Sequence, residues 1–495
     1  MKNILEYLEN TPHPNRIAFD DSQAQLTFAE IQQQSRAIGS FLAMREIYKQ
    51  PIPVFMEKSP QTISAFLGVV YGGNYYVPLD SSMADSRIQM ILKKVNPSII
   101  ICDDSTCQTA KDWGYDVYTF SKLVTHEIDT QKLLNIRRHA IDIDPVYVVF
   151  TSGSTGTPKG VVATHSGVID YVESLCPVIG ANENSIFGNQ SPLYLDACLK
   201  EIFPTLKYSA KTYLIPPSLF LFPVKLIEFI NNNNINTICW VASALSIVAG
   251  LGALEKHVPK SLKVIAFGSE VFPKKHLVKW QEVLPDTKFV HLYGPTETTG
   301  MATYYIVDKS FEQNELVPIG KPFPNREIIL LDENGKMPPQ GQMGEIHIRG
   351  LQLSPGYFAD EVRTKAAFIQ NPLSPFPDIV YKTGDRGYQN NDGNFVFTAR
   401  CDHQIKHMGY RIELTEIENA ALSLNGIEMV CVVFDAEKSK IILYYTAAIE
   451  PSELNMHLKS TLPRYMQPHK MHQLEKMPLT PGGKIDRVAL QKGNQ

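Results

Sequence analysis

The chain has little that would mark a membrane, secreted or nucleic-acid-binding protein. No uninterrupted apolar run is long enough to cross a bilayer, so membrane insertion is not expected. The start, MKNILEYLENTPHPNR, carries acidic residues and lacks an apolar core of signal-peptide length, which makes a cytoplasmic location the expectation. A formal net charge of -4 leaves no basic excess for a phosphate backbone, and nucleic acid is not an expected partner. CxxC pairs are absent. The seven cysteines, Cys102, Cys107, Cys176, Cys198, Cys239, Cys401 and Cys431, are odd in number and scattered, so they read as reduced thiols rather than zinc ligands or a disulfide framework. No internal repeat of fixed period is present. What the 495 residues do have is 44% hydrophobic content, ample for large cores in about two to four domains.

Helical patterns alternate with short apolar runs from ILEYLEN through SRIQMILKKVNPSIIICDD, where Ile99 to Cys102 reads as a strand. HSGVIDYVESL reads as a helix with Ser166 as its candidate N-cap. A second round of α/β units follows in KLIEFINNNNINTICWVAS, SLKVIAFGSE and TKFVHLYGPTETT, with Asn231 to Asn234 taken as a turn. From about Pro318 the runs shorten to EIILLD and GEIHIRG, and Asp392-Gly393 marks a hairpin, which together describe a β-rich subdomain. Beyond Arg400 to Asp402 the segment after HMGYR reads as an amphipathic helix, MVCVVF and IILYYTA as strands, and ELNMHLKSTL as a helix, giving a compact α+β domain of roughly one hundred residues. The expected boundaries are 1–399 for the large domain, 400–402 for a hinge and 403–495 for the small domain.

The stretch Val146 to Val161, VYVVFTSGSTGTPKGV, organises the rest. Its first five β-formers read as a strand buried on both faces, followed by Thr151, Ser152, Gly153, Ser154, Thr155, Gly156, Thr157, Pro158, Lys159 and Gly160. Glycines let backbone N–H groups turn inward, hydroxyls add donors and Lys159 adds positive charge, a combination suited to a polyphosphate. The P-loop spacing GxxxxGK[ST] is not met, because Gly160 follows Lys159. A solvated flexible turn is the plain alternative.

Three further stretches carry chemistry. In HLYGPTETT, Gly294 and Pro295 turn the chain to present Thr296 and Glu297, a hydroxyl and a carboxylate able to hold Mg²⁺, while Tyr293 can cover a flat base; a tight turn with a cap at Thr296 is an equal reading of these residues alone. YKTGDRG sets Asp385 in a glycine-flanked turn, where a carboxylate can accept from both ribose hydroxyls or be merely a turn residue. LTPGGKIDRVAL carries Lys484 after two glycines, able to bring an ammonium into a cleft or to sit in a solvated turn.

Together these motifs resemble the signatures of the adenylate-forming (ANL) enzymes, which include acyl-CoA ligases, luciferases and the adenylation domains of nonribosomal peptide synthesis. The resemblance implies ATP and Mg²⁺ as cofactors, with Thr151, Ser152, Gly153, Ser154, Thr155, Gly156 and Lys159 forming the phosphate loop. It further implies Tyr293 at the adenine, Gly294 and Thr296 at the ATP, Glu297 at the metal, Asp385 at the ribose, Arg400 near the nucleotide and Lys484 as the catalytic lysine, with Glu297 and Thr296 catalytic beside it. ARCDHQIKHMGYRIELTEIE is similar to the family's hinge segment, which puts Asp402 at the hinge of a mobile small domain, with Ala399 in place of the usual Gly. The implied fold is a large N-terminal domain of α/β sheet subdomains plus a β-rich subdomain, with a small mobile α+β C-terminal domain.

SPLYLDACLKEIF resembles the amino-acid-binding segment of peptide-synthetase adenylation domains and of D-alanine–carrier protein ligases, with Asp196 where the family pairs a carboxylate with the substrate ammonium. A fatty or aryl acid would leave that carboxylate unpaired, which favours amino acids. Leu195 and Cys198 depart from the usual FDxS pattern. The implied pocket is Asp196, Ala197, Lys200, Trp240, Ile265, Phe267, Leu292, Gly300 and Met301, closed by Lys484. Trp240 and Phe267 are expected to shorten it and Gly300 to open one wall, while Lys200 either pairs with an acidic side chain or snorkels out. The expected enzyme is stand-alone, activates an amino acid as aminoacyl-AMP and passes it to a separate phosphopantetheinylated carrier protein. An acyl- or aryl-CoA ligase is the alternative.

Overall fold

A computed structural model describes residues 1–153, 157–309, 311, 315–402, 404–436, 438–480 and 485–492. The chain forms two compact units. One comprises Met1–Ser81, Asn96–Val149 and Gly160–Cys401; the other comprises Ser82–Val95, Phe150–Lys159 and Asp402–Gln495. Residues 82–95 and 150–159 thus group with the C-terminal segment, where the expected boundaries assigned them to the large domain.

The larger unit holds a nine-stranded sheet. Its parallel neighbours run Lys288–Tyr293, Val264–Gly268, Thr237–Val241, Ile186–Asn189, Lys211–Leu214 and Ile17–Asp20, with antiparallel strands beyond each end. The run TICWV is buried at all five positions, as a strand covered on both faces must be. Register then decides which side chain faces which layer. Cys239 pairs with Ala266 and Ala266 with Val290, so these share one face; Trp240, Phe267 and His291 pair likewise and share the other. The first face packs with Leu199, Phe203, Tyr171 and Leu175 of the helices Leu199–Tyr208 and His165–Ile179, and the second with the helices Pro223–Asn232, Ala242–Gly250 and Lys274–Val283.

A six-stranded sheet places Pro51–Phe55 and Tyr75–Leu79 at its centre and ends at Pro145–Thr151 and Lys159–Thr164, the strands that flank the glycine-rich loop. The β-rich part is a five-stranded antiparallel sheet of Arg326–Leu331, Gly344–Gly350, Ile379–Gln389, Phe368–Gln370 and Phe395–Arg400. The hairpin at Asp392-Gly393 forms as its turn chemistry predicts, with Gly393 at φ +76°. The helix expected to start at Ser166 starts at His165, because the Thr164 hydroxyl accepts the Gly167 N–H at 3.1 Å and supplies the cap. Asn231 and Asn232 belong to the last turn of a helix, and the turn falls at Asn233 and Asn234, the latter at φ +52°.

In the smaller unit the hairpin Gln404–His407 with Tyr410–Glu413 precedes the helix Leu414–Leu422, so Ile412 and Glu413 are strand rather than helix. The three-stranded sheet Ile427–Asp435, Lys440–Ala447 and Lys470–Gln473 and the helix Pro451–Thr461 enclose a core of their own around Ile417, Val432, Leu443 and Leu458.

Candidate active site

Within the larger unit, the strand Lys288–Tyr293 delivers Tyr293 to its C-terminal end, and Gly294 turns the chain where a Cβ would lie 2.5 Å from the Gly300 carbonyl oxygen. No other residue fits there. The 3₁₀ turn Thr296–Thr298 follows, with Pro295 and not Thr296 at its cap position. Glu297 is fully buried and accepts the Tyr357 hydroxyl at 2.7 Å. Tyr357 is held in turn by the strand leaving the glycine-rich loop: Phe358 N–H donates to the Gly160 carbonyl at 2.7 Å, and Val162 N–H to that of Gly356 at 3.3 Å.

Asp385, expected in a turn, lies within the strand Ile379–Gln389 beside the irregularity that Gly384 makes at φ +73°. Its Oδ2 accepts the Tyr293 hydroxyl at 2.5 Å, and its Oδ1 pairs with Arg400 Nη1. Arg400 Nη2 donates to the Thr383 carbonyl at 3.2 Å, and the Asp385 N–H to Thr383 Oγ1 at 2.9 Å. Burial, reinforced by the Asp385 charge, pushes the Tyr293 hydroxyl well above its ordinary range, so Tyr293 stays a donor. The structure therefore brings Tyr293, Asp385 and Arg400 into one bonded group.

A second cluster surrounds Asp196. This residue opens a 3₁₀ turn, Asp196–Cys198, that runs straight into the helix Leu199–Tyr208. Ala197, Lys200 and Glu201 are buried, as are Leu292 and Met301, and the last two share the first core face with Leu199 and Cys239. Gly300 does not open a wall. At φ +85° it accepts the ring of Tyr171, which a Cβ would meet at 2.7 Å. Trp240, Ile265 and Phe267 do not join this cluster. They lie in the second core, where Trp240 Nε1 donates to the Gly188 carbonyl at 2.7 Å and the Phe267 ring stacks on His291 at 5.0 Å. Side chains one residue along a strand point to opposite faces, and the residues that share the Leu199 face are Cys239 and Ala266.

Lys200 neither snorkels nor pairs with an acidic hydrogen-bond partner. It is 1% exposed, and its Nζ has no hydrogen-bond partner among the described residues. Glu201 Oε2 accepts Asn189 Nδ2 at 3.2 Å, but Oε1 has no side-chain donor among them. Burial pushes the Glu201 carboxyl up to about 8 against the opposing pull of Lys200. The hydroxyls of Tyr147 and Tyr171 are likewise buried without partners among the described residues, and both rings lie within electrostatic reach of Asp196. Lys58 Nζ donates to the carbonyls of Asn189, Gln190 and Ile215 at 3.1, 3.3 and 3.5 Å, bracing the chain just before the Asp196 segment.

In the smaller unit, the Ser152 hydroxyl donates to the Arg411 carbonyl and Gly153 N–H to Glu416 Oε2 at 3.3 Å. Glu416 Oε1 also pairs with Arg87 at 2.9 Å, both side chains being almost fully buried. Thr151 and Lys159 are buried and Asp402 is exposed, its Oδ1 accepting the Gln404 N–H at 3.1 Å. Ser154, Thr155, Gly156 and Lys484 lie outside the described residues. Beside the last of these, Leu479 bridges to Ile485, and Arg487 pairs with Glu418 at 2.8 Å.

Sequence reasoning missed Tyr357, Tyr147, Tyr171, Glu201 and Lys58. Tyr147 had a signal, a hydroxyl inside a run buried on both faces, and Glu201 directly follows Lys200 in the segment already singled out. Tyr357 had none.

Comparison with known proteins defines the class. Residues 8–358 match the AMP-binding enzyme family and residues 416–484 the AMP-binding enzyme C-terminal domain. Zwittermicin A synthase ZmaJ of Bacillus cereus is 30% identical over 96% of this chain and 92% of its own length. Bacitracin synthase 1 of Bacillus licheniformis is 31% identical over 96% of this chain, which spans only 9% of that protein. Among solved structures, the Vibrio cholerae adenylation domain AlmE in complex with glycyl-adenosine-5'-phosphate superposes with a TM-score of 0.85 at 22% identity, covering 99% of this chain and 97% of that one. The chain belongs to the AMP-binding, adenylate-forming enzyme family, and its fold is that of the ANL adenylation domains.

Proposed function

We propose that the enzyme activates the carboxylate of an amino acid with ATP and transfers the aminoacyl group to the phosphopantetheine thiol of a separate carrier protein. In the first step a carboxylate oxygen attacks the α-phosphorus, the bond to the bridging oxygen breaks and pyrophosphate leaves. In the second, a thiolate attacks the acyl carbon and AMP departs. The carboxylate is already a competent nucleophile, so the enzyme's work is positioning and charge neutralisation.

The observation that carries the amino-acid reading is the place of Asp196, a carboxylate opening the 3₁₀ turn that runs into the buried helix Leu199–Tyr208. Such a group suits a substrate ammonium and would be costly around an apolar acid. The glycyl adenylate held by the similar domain AlmE supports the same substrate class. Glu297 with Thr296 suits a Mg²⁺ ion, which takes one or two carboxylates and completes its shell with phosphate oxygens and water. In this reading Lys484 meets the reacting carboxylate and α-phosphate, Asp385 and Arg400 serve the ribose end, and Asp402 is the hinge of the small domain.

Trapping the acyl adenylate with hydroxylamine tests the first step, and transfer to a phosphopantetheinylated carrier against free coenzyme A tests the second. Aminoacyl hydroxamate with carrier-dependent thioester formation is expected. Thioester formation on free coenzyme A from fatty or aryl acids alone would contradict the reading.

A further inference from the structure

Lys58 ties the two large sheets together within the larger unit. It lies three residues past the strand Pro51–Phe55 of the six-stranded sheet, and its Nζ donates to three backbone carbonyls at the strand ends of the nine-stranded sheet. Asn189 closes the strand Ile186–Asn189, Gln190 follows it, and Ile215 follows the neighbouring strand Lys211–Leu214. An ammonium has three protons, and three oxygens receive them. The Asn189 carbonyl also accepts the Ile215 N–H at 3.0 Å, so two of the receivers are bonded to each other. Carbonyl oxygens aimed at one point make a site for a monovalent cation, and here the chain supplies that cation on a four-carbon stem. Burial lowers the Lys58 ammonium to about 8, which leaves it charged at neutral pH.

The segment that leaves this clamp is the one that carries Asp196, six positions after Gln190. The Asn189 side chain also donates its amide to Glu201 Oε2 at 3.2 Å, on the helix Leu199–Tyr208. The clamp therefore holds the backbone that enters the Asp196 turn and, through Asn189, the helix that leaves it. A groove of about 420 Å³ opens beside Lys58, and Asp21, Glu57, Asp103 and Asp104 in its lining give it a negative field that draws small cations. Resting on the amino-acid-activating reading above, we infer that Lys58 is a positioning residue for that reaction: its ammonium is a tethered monovalent cation that holds the backbone at Asn189 and Gln190 and thereby sets Asp196 for the substrate. Without it three carbonyl oxygens face one another with no positive charge between them, and the entry to the Asp196 turn is free to shift. A displacement of about 1 Å at such a segment is enough to weaken a site by one or two orders of magnitude.

The test is amino-acid-dependent ATP–pyrophosphate exchange on the full-length wild type, Lys58→Ala and Lys58→Met, with n-propylammonium chloride added. Tetramethylammonium chloride at equal concentration is the control, since it carries the charge but no N–H. Lys58→Ala should raise the KM of the amino acid that the wild type uses by about tenfold or more, while the KM of ATP stays within about threefold. Added n-propylammonium should bring the amino-acid KM back to within about threefold of the wild type, and tetramethylammonium should not. Lys58→Met keeps an aliphatic stem and loses the protons, so it should show the same rise without rescue, its side chain filling the room the amine needs. An unchanged amino-acid KM in Lys58→Met overturns the inference even where Lys58→Ala does not fold. Equal rises in both KM values make Lys58 a merely structural residue and overturn it too, as does a failure of n-propylammonium to outdo tetramethylammonium in Lys58→Ala. A wild type that exchanges with no amino acid overturns the reading on which this rests, and the inference with it.

Discussion

Both oxygens of Asp385 and the hydroxyl of Tyr293 are bonded within the protein, whereas the ammonium of Lys200 and the hydroxyls of Tyr147 and Tyr171 find no hydrogen-bond partner among the described residues. The two clusters belong to the same compact unit and are comparably buried. They differ in what completes them. The Asp385 group is completed by protein, its two oxygens meeting Tyr293 and Arg400, so in the proposed reading a nucleotide would meet a site held in place beforehand. The Lys200 group keeps buried polar atoms that no described residue meets.

Breaking the chemistry outright should have the largest effect. Lys484→Ala is expected to lower adenylation by about two to three orders of magnitude, as loss of a group aimed at developing charge does, with ATP binding still measurable by calorimetry. The contrast between the clusters predicts opposite effects on stability. Asp385→Ala strands Arg400 and the Tyr293 hydroxyl and should cost on the order of 3 kcal/mol, read from the urea midpoint. Lys200→Met removes an unpaired buried charge and should leave that midpoint unchanged or raised.

A pH series sharpens the same contrast. Burial raises the Glu201 carboxyl from 4.5 to about 8, so between these values the folded state binds the proton more tightly than the unfolded state and stability falls as pH rises. Glu201→Gln should flatten that slope in urea melts taken between about pH 5 and pH 8. The smallest expected effect is that of Tyr171→Phe. Its hydroxyl has no protein partner among the described residues, so unfolding should shift by less than about 0.5 kcal/mol, while KM for the amino acid rises a few-fold.

Much of this was legible in the sequence. Strand–loop patterns placed the sheets, and the spacing of TSGSTGTPKG, YGPTE and TGD carried the family without any coordinates. The side-chain parity of the central strands was not. TICWV and VIAFG carry no polar–apolar alternation, so nothing in them tells which residues face which layer, and the pocket that the resemblance implies draws Trp240, Ile265 and Phe267 from the face opposite Leu199. The Asp385 turn failed for a related reason, because a glycine inside a strand marks an irregularity as readily as a turn. Tyr357 reaches Glu297 across sixty residues, and no local pattern announces such a partner.

The measurement that tests the central claim most directly is substrate-dependent exchange of labelled pyrophosphate into ATP, across L- and D-amino acids with fatty and aryl acids beside them. Strong exchange with one amino acid is the predicted result. Exchange supported only by fatty or aryl acids would contradict the role given to Asp196 and, with it, the amino-acid reading.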